Sequence, residues 1–361
     1  MEDTRKARIV RALKELVLRS PAGISRQEAA SALGIDLRTA AAHLERLTGA
    51  GLFRRKPAPA EGKGRPGLVY RSNAGELAFL GLTLAQNLTL QVTAVDAAGN
   101  VLREELLRLS GDGSRLAVFT AIRDCAARYR SVDGKRLYGI GLAISRWLQP
   151  PLSGEDTYAK LSDYLEREIG VAVHRDVNIN ALAYAWSVRL GIPDLAVIHT
   201  GLVIEFGLVR GGEPERDFAR REAWLSHLCV NPKGRRCYCG KFGCLENYVT
   251  SGALRERLKE PVSPAVPQAL GAMLALALRR LARKYQVGNL LLFGADAIFA
   301  ETERAFRAGG DGASPRLSRM DSSQKVSGGA ALEAAHFELC RFTAQKTIEP
   351  LNFPSKTGGK S

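Results

Sequence analysis

The chain has 361 residues, 45% of them hydrophobic and 25% charged, with a formal net charge of +15. That length suits two or three domains with a sizeable core. No apolar run approaches the roughly 20 residues that span a bilayer, and "MEDTRKARIV" lacks the apolar core of a signal peptide, so the expectation is a cytoplasmic globular protein with no membrane partner.

A basic excess of this size points to a polyanionic partner, nucleic acid first. About half of it sits in the first fifth of the chain: residues 1–75 hold 15 Lys or Arg against 7 Asp or Glu, a balance of +8. Ile9, Leu13, Leu16 and Val17 form a stripe at helical spacing, which Pro21 and Gly23 interrupt. Ser25 and Glu28 make an S-x-x-E capping box, so a short helix starts at about Arg26 and Gly34 closes it. Asp36 caps the next helix, "LRTAAAHLERLTGAG", with Ala40, Leu44 and Leu47 facing inward and Arg38, Thr39, Ala42, His43 and Arg46 facing outward. Helix, short helix, tight turn, helix is the helix-turn-helix pattern, whose second helix presents side chains to base edges in the major groove. Strands at 52–56 and 68–71, joined by a Pro/Gly-rich tip carrying Lys63 and Arg65, complete a β-hairpin wing. The tip cations suit phosphate contacts or the minor groove. Residues 1–75 thus read as a winged helix-turn-helix DNA-binding domain, with Arg38, Thr39, His43, Arg46, Lys63 and Arg65 as its DNA contacts.

From Ala78 the pattern changes. "AFLGLTLAQNLTLQVTAVDAAGNVLREELLRL" predicts three strands with a Gly-Asn turn at 99–100, followed by a helix around 114–130. "RLYGIGLAIS" is a glycine-rich buried strand, and "VAVHRDVNINALAYAWSVRLG" passes from strand into helix. "DLAVIHTGLVIEFGLVRGG" predicts a hairpin of two apolar strands. "PQALGAMLALALRRLARKYQ" is a long amphipathic helix leading into the strand "NLLLFG". "SPRLSRMDSSQKVSGGAAL" has a loop-like start and a helical end, and the closing "PSKTGGKS" reads as a tail. Strands interleaved with helices make an α/β body. Residues 237–244, "CYCGKFGC", gather three of the six cysteines, with His227 ten positions upstream. In a reducing compartment such a cluster favours metal or redox chemistry over a structural disulfide. Cys125, Cys229 and Cys340 read as small buried hydrophobes.

In this order the motifs resemble the ROK family (repressors, open reading frames and sugar kinases), in its DNA-binding branch. "GKGRPGLVY" is similar to the family's G-R-P wing, and "LGLTLAQNLTLQVTAVDAAGNVL" to its first phosphate hairpin. "RDVNINALAYA" resembles its N-D-x-N-A-x-x-L-A segment. "HLCVNPKGRRCYCGKFGCLENY" resembles its signature, a histidine followed by C-x-C-G-x-x-G-C-x-E. The resemblance runs from about residue 9 to the C-terminus. It implies an α/β fold, with the N-terminal winged helix-turn-helix followed by a two-lobed actin-like sugar-kinase-type body. The first lobe spans 76–185, completed by a C-terminal helix at 330–350, and the second spans 186–329 with the zinc loop and the dimer interface.

The family binds zinc with the set that here is His227, Cys237, Cys239 and Cys244. Three thiolates and one imidazole make a closed tetrahedral site, which suits structural rather than catalytic Zn2+. Gly240 and Gly243 let the loop turn tightly enough to share one ion. The kinase machinery fares differently. The family's first hairpin carries D-x-G-G-T, and here "TLAQN" puts Thr83, Ala85, Gln86 and Asn87 in those places. The second hairpin, G-T-G-I-G-x-G, has become "HTGLVIEFG", where Val203, Ile204 and Glu205 replace small residues and Glu205 repels phosphate. No ATP use is expected. The family's sugar-binding Asn-Asp pair is Arg175-Asp176, and its Glu three residues before the zinc histidine is Trp224. Asp176, Glu246 and His227 are the effector-site candidates, with Arg175 favouring an anionic ligand and Trp224 stacking on a sugar face.

The expected protein is a non-enzymatic transcriptional regulator, a repressor of carbohydrate-related genes. It would bind double-stranded operator DNA as a homodimer or dimer of dimers and sense a sugar or sugar derivative. The alternatives are a ROK sugar kinase with an appended DNA-binding head, and a DNA-binding protein with no small-molecule effector.

Overall fold

A computed structural model describes residues 9–10, 12–14, 16–17, 20, 22–58, 67–85, 88–96, 99–109, 114–144, 155–215, 222–259, 262–309, 315–320, 329–332 and 334–335. In the head, helical residues between 9 and 17 bury Val10, Leu13 and Val17. Helix α1 (Arg26–Leu33) opens with the predicted capping box: Ser25 Oγ accepts the Glu28 N–H at 3.2 Å, and the Glu28 carboxylate accepts the Ser25 N–H at 2.7 Å. Gly34 ends it at φ 59°, a left-handed turn that glycine adopts without cost. Helix α2 (Leu37–Gly49) starts where Asp36 accepts the Thr39 N–H at 2.8 Å. Strands β1 (Phe53–Pro57) and β2 (Leu68–Ser72) form an antiparallel hairpin, with Phe53 opposite Ser72 and Arg55 opposite Tyr70.

The first lobe is a six-stranded sheet of β3 (Leu77–Leu84), β4 (Thr89–Asp96), β5 (Val101–Arg108), β6 (Ser131–Val132), β7 (Lys135–Ile144) and β8 (Ala172–Val177). Its order is β5-β4-β3-β7-β6, with β8 pairing β7; the β3–β7 and β7–β8 pairs are parallel. Helices α3 (Arg115–Ala127) and α4 (Glu155–Ile169) cover one face through Ile122, Leu161 and Leu165, packed on Leu80, Leu82, Ile140 and Leu142. The alternate residues Gly81 and Gly141 face the other way, as strand periodicity requires. There a side chain would strike the backbone of Ala331 and Ala330, which are helical. The described part of the predicted C-terminal helix therefore lies on this sheet; its continuation to 350 lies outside the described residues, as does "PSKTGGKS".

The second lobe has five strands: β9 (Leu195–Thr200), β10 (Ile204–Arg210), β11 (Glu213–Pro214), β12 (Asn289–Phe293) and β13 (Arg316–Arg319), in the order β11-β10-β9-β12-β13. Helix α5 (Asn178–Leu190) packs Ile179 and Ala183 against Val197 and Val209 on one face. Three short helices follow, α6 (Glu222–Ser226), α7 (Glu246–Val249) and α8 (Ser251–Arg257). Helices α9 (Ala265–Tyr285) and α10 (Phe299–Ala308) cover the other face, with Leu274, Leu278 and Phe306 against Ile198, Phe206 and Leu290. β13 corrects the loop-like reading of "SPRLSR". It is four residues long with mostly exposed side chains, and its strand state comes from parallel pairing with β12 rather than from its own pattern.

Head and first lobe share one core, in which Leu52, Phe53 and Tyr70 meet Phe79, Val95, Tyr138 and the helical residues Ala331, Ala334 and Ala335. Tyr138 Oη donates to the Ala50 carbonyl at 2.7 Å, and Lys135 Nζ to the Gly75 carbonyl at 2.9 Å. No helix among the described residues is long and apolar enough to cross a membrane.

Candidate functional site

The cysteine loop folds on itself through short backbone bonds. Cys237 N–H donates to the Lys241 carbonyl at 2.7 Å, and Gly240 N–H to the Cys237 carbonyl at 2.9 Å. Gly240 and Gly243 take φ of +87° and +66°, which a larger residue adopts only with strain. At Gly243 a side chain would also overlap the Asn231 carbonyl, whereas at Gly240 there is open space. Antiparallel backbone pairing of Cys229 with Cys244, both free thiols, ties the His227 segment to the end of the loop. The result is one cluster: His227, Cys237, Cys239 and Cys244 each offer a donor atom, and all four atoms lie within 4.8 Å of one another. Cys237 Sγ is 3.5 Å from His227 Nδ1, and Cys239 Sγ is 3.6 Å from Cys244 Sγ. Bond lengths of about 2.3 Å to sulfur and 2.0 Å to nitrogen place tetrahedral zinc donors about 3.5–3.8 Å apart, so the set fits that ion. Burial lowers the His227 pKa, helped by Lys241, and so favours the neutral imidazole that a metal needs. Burial pushes the Cys244 thiol up to about 12, while the Lys241 N–H lowers that of exposed Cys239. Cys125 is buried as expected, but Cys229 is exposed, and Cys340 lies outside the described residues.

Glu246 opens α7 two residues after the last cysteine. It is only 7% exposed, and its Oε2 has no hydrogen-bond partner among the described residues. Burial raises its pKa; the Ile204 N–H and Ser226 oppose that rise, and Glu205 adds to it. Ser226 in turn donates to the Ile204 carbonyl at 2.7 Å. Asp176, at the end of β8, accepts from Asn180 Nδ2 at 2.8 Å across the first turn of α5. Asn180 and Ser226 were missed in the sequence; the D-x-x-x-N spacing at the start of α5 was the available signal for the first.

Two effector candidates are placed differently from expectation. Arg175 is exposed and adjoins Asp176 within strand β8, so its side chain leaves the opposite face of the sheet and the two do not act as a pair. The Trp224 ring meets Tyr285 edge-on at 6.3 Å, and Lys284 Nζ stands 4.2 Å from its centroid. That indole is engaged by the end of α9 as packing rather than held ready for a sugar face.

At the β9–β10 turn, His199 and Glu205 are direct cross-strand partners, with Nδ1 3.9 Å from the carboxylate. The His199 ring lies where a side chain on Gly201 would be. This turn corresponds to the second phosphate hairpin of the resemblance, and there an imidazole and a carboxylate stand side by side. Of "TLAQN", Gln86 and Asn87 lie outside the described residues.

In the head, Arg38 and Ala42 are exposed on α2, and Arg46 is half-buried. The Thr39 hydroxyl donates to Asp36 at 2.5 Å and so serves the helix cap. His43 is a correction: at 8% exposure it belongs to the buried side of α2 with Ala40, Leu44 and Leu47. Lys63 and Arg65 lie outside the described residues.

These elements define a two-lobed α/β protein with a head of two capped helices and a hairpin fused to its first lobe. Residues 140–284 match the ROK family, so that stretch carries a ROK family domain. A solved ROK family transcriptional regulator, a homologue of the E. coli MLC protein, superposes with a TM-score of 0.74 at 18% identity, covering 94% of this chain and 99% of that one. A ROK hexokinase from Thermus thermophilus superposes with a TM-score of 0.61 at 21% identity, covering 73% and 99%. At such identities the likeness is one of fold. The kanosamine kinase of Amycolatopsis mediterranei is 32% identical over 142 residues, 36% of this chain and 46% of that protein. The xylose repressor of Caldicellulosiruptor bescii is 24% identical over 142 residues, 37% and 36% of the two chains. The chain therefore spans less than half the length of these curated relatives.

Proposed function

We propose that the chain is a DNA-binding transcriptional regulator, a repressor of carbohydrate-related genes, whose kinase-like body senses rather than phosphorylates. The observation that carries this reading is the head: two capped helices and a basic hairpin, joined to the body through one continuous core. Residues 1–75 form the winged helix-turn-helix domain, with α2 entering the major groove and Arg38 and Arg46 on its reading side. The named relatives support the reading, one being a ROK transcriptional regulator and another a xylose repressor. The His199–Glu205 pair argues against phosphoryl transfer, because a carboxylate where a phosphate would sit repels it.

His227, Cys237, Cys239 and Cys244 would hold a structural zinc, which supplies a fixed tetrahedral crosslink. That crosslink anchors the segment leading to Glu246. Asp176, Glu246 and the His227 edge would bind hydroxyls of a sugar or sugar derivative between the first lobe, completed by the C-terminal helix, and the second lobe, which begins with α5. A homodimer, or a dimer of dimers, presents two heads to a pseudo-palindromic operator. Effector binding biases the lobes between two states and changes the spacing of the heads.

Genome-wide mapping of bound DNA, paired with an ATP-turnover assay on the purified full chain, tests this. Discrete operator-like sites and no turnover are expected. ATP-dependent phosphorylation of any sugar would replace this reading with that of a kinase carrying a DNA-binding head, the activity class of the kanosamine kinase relative.

A further inference from the structure

Glu45 is an odd residue for the DNA-facing side of a recognition helix. It follows Arg38 and Ala42 along one stripe of α2, at helical spacing, and a carboxylate there repels phosphates. Its surroundings explain it. The Oε1 atom accepts from Tyr70 Oη at 2.5 Å and from Arg26 Nη2 at 2.6 Å. Arg26 Nε donates to the same Tyr70 Oη at 2.7 Å, which closes a three-membered ring of hydrogen bonds. The other oxygen, Oε2, lies 3.4 Å from Arg55 Nη1. Arg26 is the first residue of α1, and Arg55 and Tyr70 are cross-strand partners in the hairpin. One carboxylate thus ties α1, the recognition helix and both strands of the wing. Tyr70 is fully buried and cannot drift, and its backbone pairs with Ile24 as well.

Both guanidiniums stay partly open to solvent, at 43% and 50% of their side-chain surface. A guanidinium carries five N–H donors, so each retains donors that these bonds do not use. The three charges sum to a net positive at the junction of the α1 N-terminus, the reading stripe and the wing, where the DNA backbone passes a winged helix. The hydrogen bond from Tyr70, followed by that from Arg26 and the positive charges of Arg55 and Arg26, holds the Glu45 carboxyl below its usual range, so it stays ionised at neutral pH.

We infer that Glu45 is a positioning residue that presents Arg26 and Arg55 to DNA phosphates. This rests on the DNA-binding reading above. It predicts an inverted sign. By charge alone, Glu45→Gln removes a negative group near DNA and tightens binding. With Glu45 as the organiser, the same change weakens binding, because two long side chains lose their common anchor.

The test measures binding of the full chain to a mixed-sequence 40-base-pair duplex between 50 and 200 mM salt, with melting temperatures recorded to confirm folding. Glu45→Gln and Tyr70→Phe are expected to weaken binding about fivefold or more at 0.1 M salt and to lower the salt slope by about 1, the signature of a lost phosphate contact. Arg26→Ala is expected to cost less in the Glu45→Gln background than in the wild type. A merely structural role moves the melting temperature and leaves the slope of the folded protein unchanged. Folded Glu45→Gln protein that binds as tightly as wild type, or more tightly, overturns the inference while leaving the DNA-binding reading intact. Wild-type protein that fails to bind duplex at 50 mM salt overturns that reading itself.

Discussion

The cysteine loop and the β9–β10 turn belong to the same lobe, and Glu246 and Ile204 link them, yet they have opposite characters. In the loop, four donors converge within 4.8 Å and glycines make room for the turn. In the turn, the space beside Gly201 is filled by His199, and Glu205 faces it. The difference teaches that, within one lobe, one turn can gather donor side chains around a shared point while another fills its own space with them. The loop is held by its own short backbone bonds and donor set, so it depends little on what the neighbouring turn does.

The largest effect in this comparison is expected from the loop. Cys244→Ser removes a fully buried donor and should abolish zinc retention, with a loss of more than about 4 kcal/mol. Elemental analysis and a melting scan on protein purified without chelator read both. A variant that melts like wild type would show that no metal holds this loop. Next comes a pair of glycines. Gly243→Ala meets both the positive φ and the Asn231 carbonyl, and about 3 kcal/mol is expected; Gly240→Ala meets only the positive φ, for about 1 kcal/mol. Equal effects in denaturant unfolding would mean that the loop is looser than its geometry.

The smallest effect joins the two regions. Burial raises the Glu246 pKa above its ordinary 4.5, so between that value and the raised one the folded state holds a proton that the unfolded state has released. Stability contributed by this group is present below that window and falls as pH rises through it. Glu246→Gln should therefore melt about 2 °C higher than wild type at pH 7.5 and no higher at pH 4. A gain that is the same at both values would place its origin elsewhere than the carboxyl.

Some of this was legible because its signals are local. The four candidate metal donors fall within 18 residues of one another and are accompanied by turn-forming glycines, so chemistry and reach could be judged together. The caps at Ser25 and Asp36 are set by residues three positions away. His43 was not legible: it lies at the edge of the apolar stripe, one residue before Leu44, and only packing decided its side. Arg175 carried a signal in the alternation of β8, which separates it from Asp176. Trp224 carried none, since Tyr285 and Lys284 lie sixty residues further along the chain.

By itself, then, the sequence determined the ROK family domain, the order of elements, the helix caps and the close spacing of four candidate metal donors, because each depends on neighbours along the chain. The tertiary structure decided which groups meet: Glu45 with Tyr70, Glu246 with Ile204, and Ala331 and Ala330 against Gly81 and Gly141. Those pairings join residues brought together by sheet order and core packing, and periodicity along the chain carries no record of them.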